Sequence, residues 1–260
     1  MYKYNNIYLY IYFVSILYLD TNEQKPLFFA YIGNKRNEVT ELYNNIDLKN
    51  IDYIVEPFCG SCALSVYISI KHPKSYKYIL NDNDERLIRF FKFVQSSSED
   101  EIDVFNKDVN IRYKQLNKNN YKQLLDMENN MVDYYIVMKY SRFKCSRFMY
   151  DSVFERNVVF DIKKFLIYDF IRNENITFTC EDGISCYEKY CNNKKAVLFL
   201  DPPYILCSSG QLYKNEKHDI FEYLYKNDIG NCKARIYLIL NDIFINRMLF
   251  KEHIKKDYEL

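Results

Sequence analysis

Nine consecutive residues decide the fold of this chain: Ala196-Val197-Leu198-Phe199-Leu200-Asp201-Pro202-Pro203-Tyr204. The first five are all apolar, as expected for a strand that is buried on both faces of a parallel sheet. The two prolines cannot donate ladder hydrogen bonds and they keep the backbone extended, so the strand must end before them. We therefore predict a strand over Ala196–Leu200 that presents Asp201 and the ring of Tyr204 at the carboxyl edge of a sheet.

The sequence on both sides alternates between short apolar runs and helical patterns. The predicted strands are residues 53–55, 76–80, 176–180, 196–200 and 235–240, and the predicted helices are residues 37–46, 62–70, 84–94, 184–190 and 217–225. Strands that alternate with helices predict a parallel sheet with right-handed crossovers. The expected fold class is therefore α/β, with function at the carboxyl ends of the strands.

The chain divides into three parts. Residues 26–95 and 173–260 carry the α/β pattern, whereas residues 96–172 are charged and Tyr-rich, with helical periodicity and no clear strand pattern. We interpret residues 96–172 as a mostly helical subdomain inserted into the sheet domain. Residues 1–25 form an aromatic N-terminal extension. Its apolar run, residues 7–19, is shorter than the roughly 20 residues of a membrane-spanning helix, so we expect it to pack on the domain.

Composition and charge narrow the class of protein. The chain has 260 residues, of which 48% are hydrophobic and 27% charged, as in a globular protein. A net charge of +1 means that any nucleic-acid partner must be recognised through local patches. The eight cysteines and three histidines show no disulfide or zinc spacing. This pattern predicts free thiols, a reducing and cytoplasmic compartment, and no metal site.

Asp201 and Pro202 suit the activation of an amino group on a heteroaromatic ring. Such a nitrogen is a poor nucleophile because its lone pair is delocalised into the ring. A carboxylate and a backbone carbonyl that accept its two N–H bonds would free the lone pair, and Tyr204 offers a face for stacking. The alternative is a strand-end acid and a proline turn without a chemical role.

A second candidate site lies at the end of the first strand of the α/β pattern. Glu56-Pro57-Phe58-Cys59-Gly60 precedes a helix, and a glycine there lets the backbone approach a ligand. Asp82 ends the next strand, where acids of nucleotide-binding sheets accept ribose hydroxyl groups. The pair Cys59 and Cys62 also has the spacing of a thioredoxin-like redox site, but that interpretation leaves Asp82 and Asp201 without a role.

These motifs, in this order, resemble those of the Dam-like, D12 class family of adenine-N6 DNA methyltransferases. The matching segments are Tyr31-Ile32-Gly33-Asn34-Lys35, Glu56-Pro57-Phe58-Cys59-Gly60, Asn81-Asp82 and Asp201-Pro202-Pro203-Tyr204. Residues 96–172 occupy the place of the family's target-recognition insert. The resemblance implies a Rossmann-like sheet with helices on both faces, S-adenosylmethionine as the cofactor and double-stranded DNA as the partner. It also implies that the target base leaves the duplex before it reacts.

The resemblance assigns roles to individual residues. Tyr31 and Lys35 would close over the methionine end of the cofactor, Asp82 would hold its ribose, and Asp182 would lie near its adenine. The full set of expected cofactor-contacting residues is Tyr31, Lys35, Glu56, Phe58, Gly60, Asp82, Asp182 and Asp201. The expected catalytic residues, which would bind the target amine, are Asp201, Pro202 and Tyr204.

The insert contains a basic and aromatic patch that could face DNA. Its basic residues are Lys139, Arg142, Lys144 and Arg147, and they are interleaved with Tyr140, Phe143 and Phe148 without an intervening acid. Such a patch is typical of contacts to phosphates and bases. A solvated helix face would have the same pattern.

The chain departs from the family pattern in three respects, the first being that the insert lacks the family's Asn-Gly and Phe-Asn-x-Pro signatures. Cys62 stands where the family has a second glycine, and a side chain there is expected to narrow the cofactor pocket. The sequence after residues 236–242 is short, which predicts truncated C-terminal strands. The alternative functions are cytosine-N4 or RNA-adenine methylation, or a catalytically silent protein that binds DNA or the cofactor. We expect a monomer without a membrane segment.

Overall fold

The computed structural model describes most of the sheet and of the helices around it. The described residues are 7–12, 27–29, 39–72, 75–117, 120–121, 124, 130–140, 159–202, 223, 232–241 and 254–257. The strands are β1 (Ile7–Tyr12), β2 (Tyr53–Glu56), β3 (Lys77–Asn81), β4 (Ile176–Thr179), β5 (Ala196–Leu200), β6 (Arg235–Asn241) and β7 (Ile254–Asp257). The helices are α1 (Val39–Asn45), α2 (Ala63–Lys71), α3 (Glu85–Ser96), α4 (Glu99–Lys114), α5 (Met131–Tyr140), α6 (Leu166–Ile171) and α7 (Gly183–Tyr190). A short 3₁₀ helix, Ile162–Lys164, precedes α6.

The strands form one parallel sheet in the order β4-β3-β2-β5-β6-β1-β7. From β2 the chain proceeds outward through β3 and β4, and it then returns to place β5 on the other side of β2, where Val55 pairs with Leu198. The strand order therefore reverses between β2 and β5. Such a switch point opens a crevice at the carboxyl edge, which is where α/β sheets bind ligands.

The N-terminal segment contributes a strand to the sheet. Strand β1 pairs with β6 from Ile7–Ile236 to Tyr12–Asn241, and its other edge pairs with β7. The sequence predicted an extension packed on the domain, because a six-residue apolar strand cannot be distinguished from other apolar segments until its partner is known. Beyond β6 the described sheet continues with β1 and β7, and the expected truncation of the C-terminal strands stays a prediction.

The two faces of the sheet are covered by different helices. Successive residues of each strand point to opposite faces, so Ile54 and Phe199 belong to one hydrophobic cluster, whereas Val55 and Leu198 belong to another. The larger cluster includes buried residues of α1 to α6, and the smaller one includes residues of α7. The prediction of helices on both faces is confirmed for the described residues, and all five residues of β5 are buried.

The helices of the predicted insert share the core of the sheet domain. The Phe90 ring of α3 contacts Phe28, Phe105 of α4 and Tyr135 of α5, with ring centroids 5.5, 6.1 and 5.7 Å away. Asp133 of α5 is fully buried and forms an ion pair with Arg112 of α4, in which the Nε–Oδ1 distance is 2.8 Å. The described part of residues 96–172 is helical, and it packs on the sheet domain through this aromatic cluster.

Candidate active site

Four loops begin at the same carboxyl edge of the sheet, at the ends of the neighbouring strands β4, β3, β2 and β5. They begin directly after the strands, at Cys180, Asp82, Pro57 and Asp201. This placement brings together the described part of both candidate sites from the sequence. Tyr31, Lys35 and Tyr204 lie outside the described residues, so their expected contacts stay predictions.

Glu56 supports the start of α2. Its carboxylate is buried, with 7% of the residue exposed, and it accepts hydrogen bonds from the backbone N–H of Ser65 at 3.0 Å and from the Ser65 hydroxyl. Ser65 is the third residue of α2, and Cys62 at the N-cap makes no side-chain cap bond. An acid near a helix N-terminus stabilises the helix through the N–H groups and the macrodipole. Glu56 therefore has a structural task, and its contact with the cofactor stays a prediction.

The turn between β2 and α2 uses left-handed backbone twice. Gly60 has φ 46° and Cys62 has φ 59°. Glycine adopts this conformation freely, whereas other L residues lose roughly 1–2 kcal/mol. Cys62 is fully buried in the larger core cluster. Its side chain is therefore part of the core, whereas the sequence had placed it at the wall of the cofactor pocket.

Asp82 holds the turn from the neighbouring strand. Its Oδ2 accepts the N–H of Gly60 at 2.9 Å, and its Oδ1 accepts the N–H of Asp84 at 2.9 Å. Asp84 in turn caps α3 by accepting from the backbone N–H groups of Arg86 and Leu87. Only 8% of Asp82 is exposed. The acid predicted to hold the ribose is thus rigidly placed beside the glycine turn.

The β4–α7 loop faces this turn across the end of β3. Asp182 is exposed and caps α7 by accepting the N–H of Ser185 at 3.0 Å. The next residue, Gly183, lies against the half-buried Phe58 ring so closely that a Cβ atom there would be 2.3 Å from Cε1 of Phe58. Phe58 and Asp182, which the sequence assigned to the same cofactor, are therefore on adjoining loops.

Asn81 is a residue of this site that the sequence analysis named only as part of a motif. It is fully buried, and its side chain bonds to backbone groups of both adjoining loops, at Pro57 and Glu181. In the sequence, the only indication that Asn81 belongs to the site was its position between an apolar run and an acid. Asp201 is half-buried and Pro202 is buried at the end of β5.

The charges at these loops are of one sign. The described residues at the strand ends and in the loops that follow, 56–62, 81–84, 180–183 and 201–202, include no Lys or Arg, and their acids are Glu56, Asp82, Asp84, Glu181, Asp182 and Asp201. Glu181 is paired with Lys189 of α7. Electrostatic complementarity favours a ligand with positive charge and hydrogen-bond donors over a ligand with phosphate groups.

Cys59 and Cys62 are free thiols inside the core. Burial, as the largest cause, raises the pKa of both thiols, and for Cys59 the hydrogen bond with Cys62 raises it further. Reactive cysteines have lowered pKa values and partial exposure. The environment of the pair therefore argues against the thioredoxin-like interpretation.

Lys139 has partners within the protein. Its Nζ donates to the carbonyl of Phe28 at 2.6 Å and lies 4.3 Å from the centroid of the Phe165 ring. These contacts join α5 to residues 27–29. The contact between Lys139 and DNA that the sequence predicts would have to form in addition to its contacts with Phe28 and Phe165. The other three basic residues of the patch, Arg142, Lys144 and Arg147, lie outside the described residues.

Within the described part of the chain, His, Cys, Asp and Glu form no group of three or more that could bind a metal ion. Among the same residues, the helices are too short or too polar to reach from one side of a bilayer to the other.

A parallel sheet whose strand order reverses between β2 and β5, with a glycine turn after β2 and an acid after β3, is typical of Rossmann-like α/β proteins. The family model of the D12 class N6 adenine-specific DNA methyltransferases matches residues 31–256. The chain therefore belongs to this family, and it is an enzyme that methylates the N6 amino group of adenine in DNA. A search of curated proteins finds no significant match to the chain.

Proposed function

We propose that the methyl donor is S-adenosylmethionine, bound in the crevice between the loops after β2, β3 and β4. When bound, it supplies an electrophilic methyl group on a positively charged sulfur. The observation that carries this assignment is the acidic character of the loops, which contain no Lys or Arg among their described residues. S-adenosylmethionine carries a sulfonium and an ammonium group, and its ribose offers two hydroxyl donors, so its chemistry suits these carboxylates.

Each loop has a defined part in holding the donor. Asp82, fixed by Gly60 and Asp84, accepts the ribose hydroxyl groups. Phe58 and the start of α7 provide an apolar and a polar wall for the adenine, with Asp182 as the acceptor for its amino group. Tyr31 and Lys35 enclose the methionine end.

The target adenine enters from the β5 side of the crevice. The Asp201 carboxylate and the Pro202 carbonyl accept the two N–H bonds of its amino group, and Tyr204 stacks on the base. These bonds localise the lone pair on nitrogen, which is the part that this chain contributes to the chemistry. After methyl transfer, the nitrogen loses one proton, and Asp201 is the acceptor nearest to it in this arrangement.

Double-stranded DNA is the proposed substrate, with the insert as the recognition element. The adenine must leave the stack to reach Asp201 at the sheet edge, because a base inside a duplex is inaccessible. Arg142, Lys144 and Arg147 are proposed to contact phosphates. Each phosphate contact removed by substitution with Ala should lower the salt slope of DNA binding by about 0.9.

The test is methyl transfer from labelled S-adenosylmethionine to unmethylated double-stranded DNA, followed by nucleoside analysis. We expect label in N6-methyladenine, and we expect Asp201→Ala to reduce the rate at least about a hundredfold, as for loss of a transition-state hydrogen bond. Asp169→Ala, which changes an exposed acid of α6, is the matched control and should retain the wild-type rate.

The alternatives give different results in the same assay. Label in N4-methylcytosine would show that the target base is cytosine. Label only in RNA would show that the substrate is RNA. Binding of S-adenosylmethionine without any transfer would identify a silent binder.

A further inference from the structure

Asn81 makes a full set of side-chain hydrogen bonds at the centre of the site. Its Nδ2 donates to the carbonyls of Pro57 and Glu181, each at 2.9 Å. Its Oδ1 accepts from the Thr179 hydroxyl at 2.8 Å and from the N–H of Glu181 at 3.0 Å. The two amide hydrogens and both oxygen lone pairs are therefore used. The backbone carbonyl of Asn81 also accepts the N–H of Cys59 at 2.7 Å.

These bonds join two loops that come from different strands. Pro57 and Cys59 belong to the turn after β2, and Glu181 belongs to the loop after β4. Since β3 lies between β2 and β4 in the sheet, its last residue can reach both loops. A buried amide with four partners has one orientation, because any rotation would leave buried polar groups unpaired.

The same two loops meet a second time through Phe58 and Gly183. The Phe58 ring occupies the space that a Cβ at Gly183 would need. Pro57 and Phe58 are consecutive, and Glu181 lies two residues before Gly183. The hydrogen bonds of Asn81 therefore set the distance at which the ring meets the start of α7.

We propose that Asn81 is a positioning residue of the cofactor site: by holding the loops after β2 and β4 together, it aligns Phe58 and Gly60 with Asp182. This inference rests on the proposed function, since it takes the crevice between these loops as the site of the donor. Asn81 itself is fully buried and acts through the residues that line the crevice.

The decisive variant is Asn81→Asp, which preserves shape but replaces the donor of two hydrogen bonds with an oxygen. At neutral pH that oxygen would face the carbonyls of Pro57 and Glu181, so the loops should separate. The matched control is Asn106→Asp in α4. Asn106 is also buried, donates to Asp161 and accepts the N–H of Ile162, but it lies in the helical region away from the strand ends.

Calorimetric binding of S-adenosylhomocysteine, thermal unfolding and hydrogen exchange of the ligand-free protein are measured on all variants. We expect Asn81→Asp to weaken binding at least tenfold and to accelerate exchange of the amides of residues 58–60 and 181–185. At saturating cofactor, kcat should stay within about threefold of wild type. Asn106→Asp should lower the melting temperature without changing either the affinity or the exchange of these amides.

A second, milder variant keeps the proposal testable if the Asn81→Asp protein does not fold. Thr179→Val removes one of the four bonds and keeps the branched shape that a strand favours, and we expect a twofold to fivefold loss of affinity. If Asn81→Asp and Thr179→Val both bind within twofold of wild type, Asn81 is only a structural residue. If wild-type protein does not bind the ligand, the proposed donor is wrong, and the exchange of residues 181–185 still shows whether Asn81 holds the loops.

Discussion

At the scale of single residues, Asp82 combines two tasks. Its oxygens hold the N–H groups of Gly60 and Asp84, and the same carboxylate is the proposed partner of the ribose. Because both N–H groups belong to turns at the strand ends, the charge of Asp82 also stabilises the shape of the crevice. A substitution at Asp82 should therefore affect binding and folding together.

Asp82→Asn is expected to weaken S-adenosylhomocysteine binding at least tenfold and to lower the melting temperature. The amide has one accepting atom, so one of the two N–H groups loses its acceptor, and a hydrogen bond to a charged group contributes about 1.5–3 kcal/mol. Asp84→Asn is the control, because Asn caps a helix about as well as Asp. Calorimetry and thermal unfolding measure both effects, and equal affinities for Asp82→Asn and wild type would exclude Asp82 from the site.

The buried thiols lead to a prediction on reactivity. Because burial raises the pKa of Cys59 and Cys62, both should remain protonated at pH 8 and react with a thiol reagent only on unfolding. Exposed Cys180 should react in the native protein. Mass spectrometry after brief alkylation distinguishes the sites. Modification of Cys59 as fast as Cys180 would restore the redox interpretation.

At the scale of elements, the start of α7 shows how a helix terminus becomes part of a site. Asp182 supplies the cap, and Gly183 leaves room for the Phe58 ring of another loop. Ala is normally better than Gly in a helix by about 1 kcal/mol. At Gly183 the opposite is expected, because a Cβ atom would collide with the Phe58 ring and make Ala less favourable than Gly.

We expect Gly183→Ala to destabilise the protein by about 1–3 kcal/mol, as overpacking does. A second substitution, Phe58→Leu, should recover part of this loss because the smaller side chain makes room for the new methyl group. Urea unfolding of the single and double variants measures the coupling. A more stable Gly183→Ala protein would mean that Phe58 does not occupy this space.

The first turn of α4 is tied to α6 and to the 3₁₀ helix. The Tyr168 hydroxyl donates to Glu99 at 2.8 Å, and Lys163 lies 2.9 Å from Glu99 and 2.6 Å from Asp103. Burial, followed by the bond to Glu99, raises the pKa of Tyr168 to about 12. The neutral phenol is thus favoured in the folded state. Its contribution to stability is complete below the unfolded pKa of about 10 and is lost as the pH rises through about 12.

Tyr168→Phe should therefore be less stable than wild type by about 1 kcal/mol at pH 8, from the loss of one hydrogen bond. The difference should shrink between pH 10 and pH 12, because Tyr168 of the unfolded wild type ionises from about pH 10 whereas the folded phenol stays neutral up to about pH 12. Urea unfolding at several pH values measures it. A difference that stays constant up to pH 12 would show that the Tyr168 hydroxyl does not contribute in this way.

At the scale of the whole molecule, the sheet depends on pairing between strands that are far apart in the sequence. Strand β1 lies between β6 and β7, and its six residues pair with β6 along their whole length. Without β1, the unpaired edge of β6 would be open to other strands.

Deletion of residues 1–12 is expected to cause aggregation or loss of cooperative unfolding, because it removes the neighbour of β6 and separates β7 from the sheet. Deletion of residues 1–6, which ends before β1, is the control and should leave unfolding unchanged. Size-exclusion chromatography and thermal unfolding compare the two. Wild-type behaviour of the longer deletion would show that β1 is dispensable.

The sequence was sufficient for the central sheet and for the acids at its edge. Ala196–Leu200 is apolar because it is buried on both faces, and Asp82 and Asp201 lie at the same edge of the sheet because the carboxyl ends of parallel strands share one edge. These relations follow from local pattern and from the rules of α/β topology.

Other features could not be predicted from local pattern, because they depend on contacts between distant segments. The strand Ile7–Tyr12 is defined by its pairing with β6, and the bonds of Asn81 are defined by carbonyls on two neighbouring loops. Lys139 was assigned to DNA from its charge, but its contact with the Phe28 carbonyl depends on how α5 packs against residues 27–29.

The position of β1 also bears on how the protein is made. In the chain, β1 precedes the other described strands, whereas its partner β6 follows β2 to β5, so their pairing must wait until all of these strands have left the ribosome. Pairings between such distant segments are slow to form. Insertion of β1 between β6 and β7 is therefore expected to be a late step of folding, and before it the edge of β6 is open to chaperones.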